Sequence, residues 1–150
     1  FPEDTQLTVI DKSLQMIFAA KENISWANFI LDDVLTLDKK KIGKFDIVVS
    51  TFTLHHIPYD QQEKAIKNMV ELCCDNGSIL IVDRSFHSQA EKEKKERELA
   101  AEGNLEFLEI IRSEFYLLSD HVTDYFRYMG LQLKTLFFEK EIWSFLIEKI

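Results

Sequence analysis

An α/β domain with a mainly parallel sheet is the fold this sequence predicts, and three observations predict it. Short β-rich runs alternate with helical stretches along the chain. Phe45 to Ser50 and Ser78 to Val82 are apolar almost throughout, the pattern of parallel strands covered on both faces. The segment between them, Gln61 to Cys74, carries Ala65, Ile66, Met69, Val70 and Cys73 as one stripe at helical spacing, which makes the three segments a strand–helix–strand unit.

The other elements follow in order. Leu7 to Ile10 is a short apolar strand ending in Asp11. Ser13 can cap the next helix, where Leu14, Ile17 and Phe18 share a face. Asn28 to Leu31 is a second strand, closed by Asp32-Asp33, and Asp38 to Lys44 is a charged connector. Phe45 to Ser50 empties into the polar, aromatic loop Thr51 to Ile57. Asp75-Asn76-Gly77 signals a turn. Glu91 to Glu98 reads as a solvated helical face with alternating ion pairs, and Gly103-Asn104 interrupts the helical pattern after it. Leu108, Ile111, Phe115 and Leu118 recur at spacings of three or four. Ser119 is the N-cap of the last helix, Val122, Phe126 and Met129 its buried stripe, and Gly130 its left-handed stop, where a Cβ is costly. Leu131 to Phe138 and Ile142 to Ile147 are strands joined by Glu139-Lys140-Glu141. That link is too short for a helical crossover, so the two pair antiparallel.

The chain has 150 residues, a single-domain size for residues 1–150, and its 46% hydrophobic and 29% charged content is that of a globular protein. A net charge of −8 argues against a general nucleic-acid binder, and Lys39-Lys40-Lys41 is the longest basic run. No apolar run approaches the ~18 residues that span a bilayer. Cys73 and Cys74 are neighbours whose spacing matches no zinc motif, so they are read as thiols in a reducing cytoplasm and no metal ligand is assigned. The chain opens on Phe1, and an upstream segment is expected.

Three signals carry chemistry. In Val9-Ile10-Asp11-Lys12-Ser13, followed by Met16, the acid at a strand's carboxyl end can accept hydrogen bonds from both hydroxyls of a ribose; it can also be an ordinary helix cap. Phe29-Ile30-Leu31-Asp32-Asp33-Val34 repeats a strand ending in acid. Phe45-Asp46, Val48-Val49-Ser50, Leu54-His55-His56-Ile57, a helix, Asn76-Gly77 and Ile79-Leu80-Ile81-Val82-Asp83 form the third, composite signal. His55 and His56 sit at a strand's mouth, and a histidine titrates near neutral pH, so they are the candidate general bases.

This ordered set, with Met129-Gly130-Leu131 and the terminal hairpin, resembles the class I S-adenosylmethionine-dependent methyltransferases. Glu114-Phe115-Tyr116 ahead of the last helix is similar to small-molecule methyltransferases of Gram-positive bacteria. The resemblance implies a Rossmann-like sheet of strand order 3-2-1-4-5-7-6, of which this chain supplies strands two to seven. It implies that Asp11 holds the cofactor's ribose and Met16 lies against adenine. Asp33 would accept from the adenine amino group, with the backbone of Val34 facing the ring and Ser50 and Thr51 at the mouth of the fourth strand. Asp32-Asp33-Val34 departs from the family's usual Gly-Asp-Ala. One of the family's histidines at His55–His56 often packs structurally instead. Tyr59, Tyr116 and Tyr125 are candidates for the acceptor pocket.

The family's first strand and glycine-rich loop have no counterpart here, and the strand belongs at the sheet's centre. Each buried backbone group it leaves unpaired costs about 1–3 kcal/mol. The strand comes from upstream, from a partner chain or second copy, or else strands two and four pair directly. Little or no cofactor binding is expected of these residues alone. The implied activity is methyl transfer from S-adenosylmethionine to a small molecule. The rivals are a catalytically inactive methyltransferase-like binding or scaffold subunit, and another nucleotide-binding enzyme such as a dehydrogenase; the terminal antiparallel hairpin disfavours the second.

Overall fold

The computed structural model describes residues 4–149, with Phe137 and Phe138 described in backbone only. These residues divide into two compact units, one ending at Ile42 and the other beginning at Gly43.

In the first unit, β1 (Thr8–Asp11) and β2 (Asn28–Leu31) pair in parallel, with Asp11 opposite Leu31. The helix between them, α1 (Leu14–Asn23), starts as expected at Ser13, whose Oγ accepts from the Met16 N–H. Its apolar face is only partly used. Ile17 is buried, whereas Leu14 is 51% and Phe18 58% exposed. The charged connector contains a single helical turn, α2 (Lys39–Ile42), because the Asp38 carboxylate and carbonyl accept from the amides of Lys40, Lys41 and Ile42.

In the second unit, β3 (Phe45–Thr51) leads through a 3₁₀ turn (Leu54–His56) into α3 (Tyr59–Leu72) and β4 (Cys73–Phe86). Ala65, Ile66, Met69 and Val70 of the predicted stripe are buried on α3, with Gln62 and Asn68 buried beside them, while the helix ends at Leu72 and Cys73, also buried, already opens β4. β3 and β4 run parallel, Val49 opposite Leu80. The expected turn at Asp75–Gly77 lies inside β4, which begins five residues earlier than Ser78. Asn76 takes φ +63 and the register shifts between Phe45 and Ile47, so the turn signal is absorbed as an irregularity in the strand. Gly77 passes so close to its neighbours that a Cβ there would lie 2.7 Å from both the Asp46 carbonyl oxygen and Cys73 Sγ.

Ser88 caps α4 (Gln89–Glu102) and Asn104 caps α5 (Leu105–Ser113). The helical spacing expected through Phe115 and Leu118 stops at Ser113. Leu117–Leu118 instead form a two-residue strand, β5, parallel to the end of β4. The last helix, α6 (Ser119–Tyr128), has Leu118 rather than Ser119 as its N-cap; the Ser119 hydroxyl donates instead to the His87 carbonyl. Gly130 (φ +74) follows the helix in the left-handed region. β6 (Gln132–Glu139) and β7 (Ile142–Glu148) form the expected antiparallel hairpin, and β7 lies antiparallel to β4.

The sheet order in this unit is therefore β3-β4-β7-β6, the 4-5-7-6 half of the expected sheet, while β1 and β2 supply the 2-3 half. Among the described residues β1 pairs with β2 alone and β3 with β4 alone, so each keeps one open edge. Ile79, Ile81, Phe145 and Ile147 are fully buried in the four-stranded part. Ile47 and Val49 of β3 are 66% and 56% exposed, against the expectation of a strand covered on both faces. No helix among the described residues is long and apolar enough to cross a membrane. Cys73 and Cys74 are both free thiols, and burial pushes Cys73 up from its ordinary pKa.

Candidate functional site

The first unit gathers acids at the carboxyl ends of its two strands. Asp11 closes β1, and its Oδ1 accepts from the Ser13 N–H at 2.7 Å. The chain leaves β2 through Asp32, whose N–H donates to the Asp11 carbonyl at 3.1 Å and whose Oδ1 accepts from the Asp33 N–H. Asp33 Oδ1 in turn accepts from the Leu35 N–H at 2.8 Å. These local bonds fix both strand ends. Asp11, Asp33 and Val34 are all half-buried, and Met16 stands 58% exposed on the first turn of α1. The parallel pairing thus brings Asp11, the last residue of β1, and Asp33, two residues past the end of β2, to the same end of adjacent strands.

The second unit centres on Asp83. A charged residue directly after the apolar run Ile79–Val82 of β4 is fully buried here, and all its acceptor capacity is used. Oδ2 accepts from the amides of Thr53 (3.0 Å) and Leu54 (2.7 Å). Oδ1 accepts from the Arg84 N–H (2.8 Å) and lies 2.5 Å from His55 Nδ1. The carboxylate therefore shapes the loop after β3, in which Phe52 takes a left-handed φ of +49. It also fixes the His55 tautomer: Nδ1 carries the proton and Nε2 points away.

His55 is buried at 3% exposure and His56 is exposed; their rings are 3.9 Å apart at 46°. His55 Nε2 faces Glu114 Oε2 at 3.8 Å. That segment is strapped in place: the Phe115 N–H donates to the His55 carbonyl (2.8 Å), and Gln62 Nε2 lies within hydrogen-bond reach of the carbonyls of Leu54, Ile57 and Phe115. Arg84 donates to the Tyr116 hydroxyl at 2.5 Å, with its guanidinium 5.6 Å from that ring's centroid. Burial raises the Tyr116 pKa, and the bond from Arg84 opposes that rise.

Ser50 is buried at the carboxyl end of β3 and Thr51 is exposed beside it. Among the tyrosines, Tyr116 is a core residue stacked on Phe86, whereas Tyr59 and Tyr125 line a shallow groove of about 130 Å³ with His121. The structure thus joins His55 with Asp83 and Glu114, and Asp11 with Asp33. Reasoning on the sequence passed over the roles of Asp83, Glu114, Gln62 and Arg84. Asp83 left a legible signal as a lone acid in an apolar run; the other three left none, because the contacts that matter join Arg84 to Tyr116, Gln62 to Phe115 and Glu114 to His55, which are 32, 53 and 59 positions apart.

A family model described as a methyltransferase domain matches residues 1–77. The chain is 28% identical over 105 residues to an uncharacterized methyltransferase of Staphylococcus carnosus, a match covering 70% of this chain and 51% of that protein. It spans less than two thirds of the length of the curated relatives it matches. Among solved structures, an O-methyltransferase family protein from Burkholderia thailandensis superposes with a TM-score of 0.72 at 15% identity, over 96% of this chain and 43% of that one. An N-methyltransferase from Bradyrhizobium japonicum, NodS, in complex with S-adenosyl-L-homocysteine, gives 0.65 at 16% identity, over 96% and 66%.

Proposed function

Because the chain belongs to the methyltransferase-domain family, we propose that its parent protein transfers a methyl group from S-adenosylmethionine to a small-molecule acceptor. The observation that carries the reading is the placement of Asp11 and Asp33 at the same end of two paired parallel strands. Two carboxylates there suit the two polar ends of an adenosine: Asp11 the ribose hydroxyls and Asp33 the exocyclic amine, with Met16 and the Val34 backbone against the ring. Ser50 and Thr51, at the carboxyl end of β3, are further candidates for cofactor contact.

The fit is to the nucleoside half. The described glycines are Gly43, Gly77, Gly103 and Gly130, none of them in a glycine-rich loop that would seat the methionine half. When bound, the cofactor supplies the electrophilic methyl, and the protein's part is to orient the reactants and exclude water. His55 and His56 are the candidates for taking an acceptor's proton, a reading supported by the exposure of His56 and by the bond of His55 to Asp83. The open edges of β1 and β3 support the further reading that one domain is completed by a strand bonded to both, from upstream, from a second copy or from a partner. The acidic balance favours a small acceptor over nucleic acid.

Calorimetry of S-adenosylhomocysteine tests this. The expected result is no measurable heat with residues 1–150 and clear binding by the protein expressed from its whole reading frame, weakened at least tenfold by Asp11→Ala. Binding by neither would overturn the enzyme reading and leave a methyltransferase-like scaffold. Displacement by NAD but not by S-adenosylmethionine would point to a dehydrogenase.

A further inference from the structure

We infer that His55, His56 and Glu114 form a binding site for a zinc-class divalent cation. The argument rests on the second unit alone and is independent of methyl transfer. One ligand atom from each residue lies within 4.8 Å of the other two.

The decisive feature is a pair of acceptors aimed at each other. Asp83 accepts from His55 Nδ1, which leaves Nε2 as the ring atom turned toward Glu114. Facing it at 3.8 Å is Glu114 Oε2, which is buried and accepts no hydrogen bond. A separation of 3.8 Å is too long for a hydrogen bond. Two donors held at about 2.0–2.1 Å on one tetrahedral ion stand about 3.4 Å apart, so a closure of a few tenths of an ångström would bring this pair onto a shared cation. Arg84 Nη1 is 3.9 Å from the same oxygen but donates to Tyr116 instead, so it does not satisfy the carboxylate. A buried, unsatisfied carboxylate oxygen costs free energy that a cation would recover.

The surroundings have the form of a metal site's support. A ligating histidine commonly donates its other ring N–H to a carboxylate, which fixes its tautomer and raises its basicity; Asp83 does this for His55. The two loops that carry the ligands are tied by the Phe115–His55 backbone bond and by Gln62, so the His55–Glu114 pair is preorganised. His56 is exposed, and rotation of its ring closes the set. Two imidazoles and one carboxylate select Zn²⁺, Co²⁺ or Fe²⁺ over Mg²⁺ and Ca²⁺, which prefer all-oxygen ligands. Three protein ligands leave a position open to water or to a ligand's oxygen or nitrogen.

The test uses the protein expressed from its whole reading frame and stripped of metal by a chelator. Co²⁺ is the probe, followed by its visible ligand-field absorption and competed with Zn²⁺. The expected result is one Co²⁺ per chain, released by Zn²⁺, with affinity falling at least tenfold in both His56→Ala and Glu114→Gln. His56 is exposed and Glu114 lacks a hydrogen-bond donor, so both variants should fold, which the melting curve of the metal-free protein checks. The inference is overturned if no ligand-field band appears, since a bridging water then satisfies both acceptors. It is equally overturned if both variants bind Co²⁺ as the parent does, since the ion then sits on other histidines such as His87 or His121. Cofactor calorimetry on the same samples is a separate readout, so failure of this site and failure of the methyltransferase reading are distinguishable.

Discussion

The two units treat their apolar residues differently. In the second, β4 is flanked by β3 and β7, its inward positions are closed by α3 and the hairpin, and the one charge it buries is fully bonded. In the first, a two-stranded sheet and one helix bury Ile17 and Leu37, while Leu14, Met16, Phe18 and Leu31 are all more than half exposed. Two strands do not make an independently stable sheet. The contrast teaches that the second unit contains its own core, whereas the first holds Asp11 and Asp33 on a scaffold whose apolar residues are largely uncovered. The same need shows on one strand of the second unit, at Ile47 and Val49 of the open-edged β3.

The comparison breaks first at Asp83. Asp83→Ala removes the partner of His55 and the acceptor for three backbone amides, all in a fully buried setting. Each buried donor left without its acceptor costs about 1–3 kcal/mol, so urea denaturation should show a loss of about 3 kcal/mol or more. A loss below about 1 kcal/mol would mean that the loop after β3 is held by something other than this carboxylate.

A smaller effect is expected from Gly77→Ala. The new methyl would meet the Asp46 carbonyl oxygen and Cys73 Sγ at 2.7 Å each, and one of these is backbone. Overpacking of this kind costs about 1–3 kcal/mol. The damage should be local to the β3–β4 register, visible as faster amide exchange at Ile47 to Val49 with β7 left protected.

How much of this was legible beforehand follows from where the information sits. Strand and helix positions rest on local patterns, and β2 came out at its predicted residues because the apolar run is bounded by Asn28 and the Asp pair. The terminal hairpin was accessible because so short a link permits only antiparallel pairing, whereas its insertion beside β4 was what the family resemblance implied. The expected helical spacing through Phe115 and Leu118 failed because apolar residues three or four apart also suit a bend followed by a short strand, and β4 offered an edge for it. At the site, Asp11 and Asp33 announced themselves as acids after strands. The His55–Asp83–Glu114 set did not, since its members are 28 and 31 residues apart along the chain and meet only through the fold.

Alkaline pH sharpens the comparison within the second unit. Burial raises the Tyr116 phenol above its ordinary value despite the bond from Arg84, and burial also raises Tyr125. A group whose folded pKa lies above its unfolded value stabilises the fold below the unfolded pKa, about 10 for tyrosine, and that contribution is lost as pH rises through the folded value. Thermal stability should therefore hold through neutral pH and fall above about pH 10. Tyr116→Phe should cost about 1 kcal/mol at pH 7 by stranding Arg84, and its alkaline decline should be shallower than the parent's. An unchanged decline would assign the loss to Tyr125 and the thiols.

The smallest expected effect is the most telling about the first unit. Phe18→Ser replaces an aromatic that is 58% exposed on α1. In residues 1–150 the substitution should change stability by no more than about 0.5 kcal/mol, as exposed positions generally do. In the protein expressed from its whole reading frame the same change should cost more, on the order of 1.5–3 kcal/mol, the worth of fully burying an aromatic side chain, if additional chain covers α1. Equal and negligible losses in both would show that the apolar face of α1 stays in water. The contrast between the units would then be a property of the protein itself, with the acids of β1 and β2 carried on an open ledge instead of in a closed cleft.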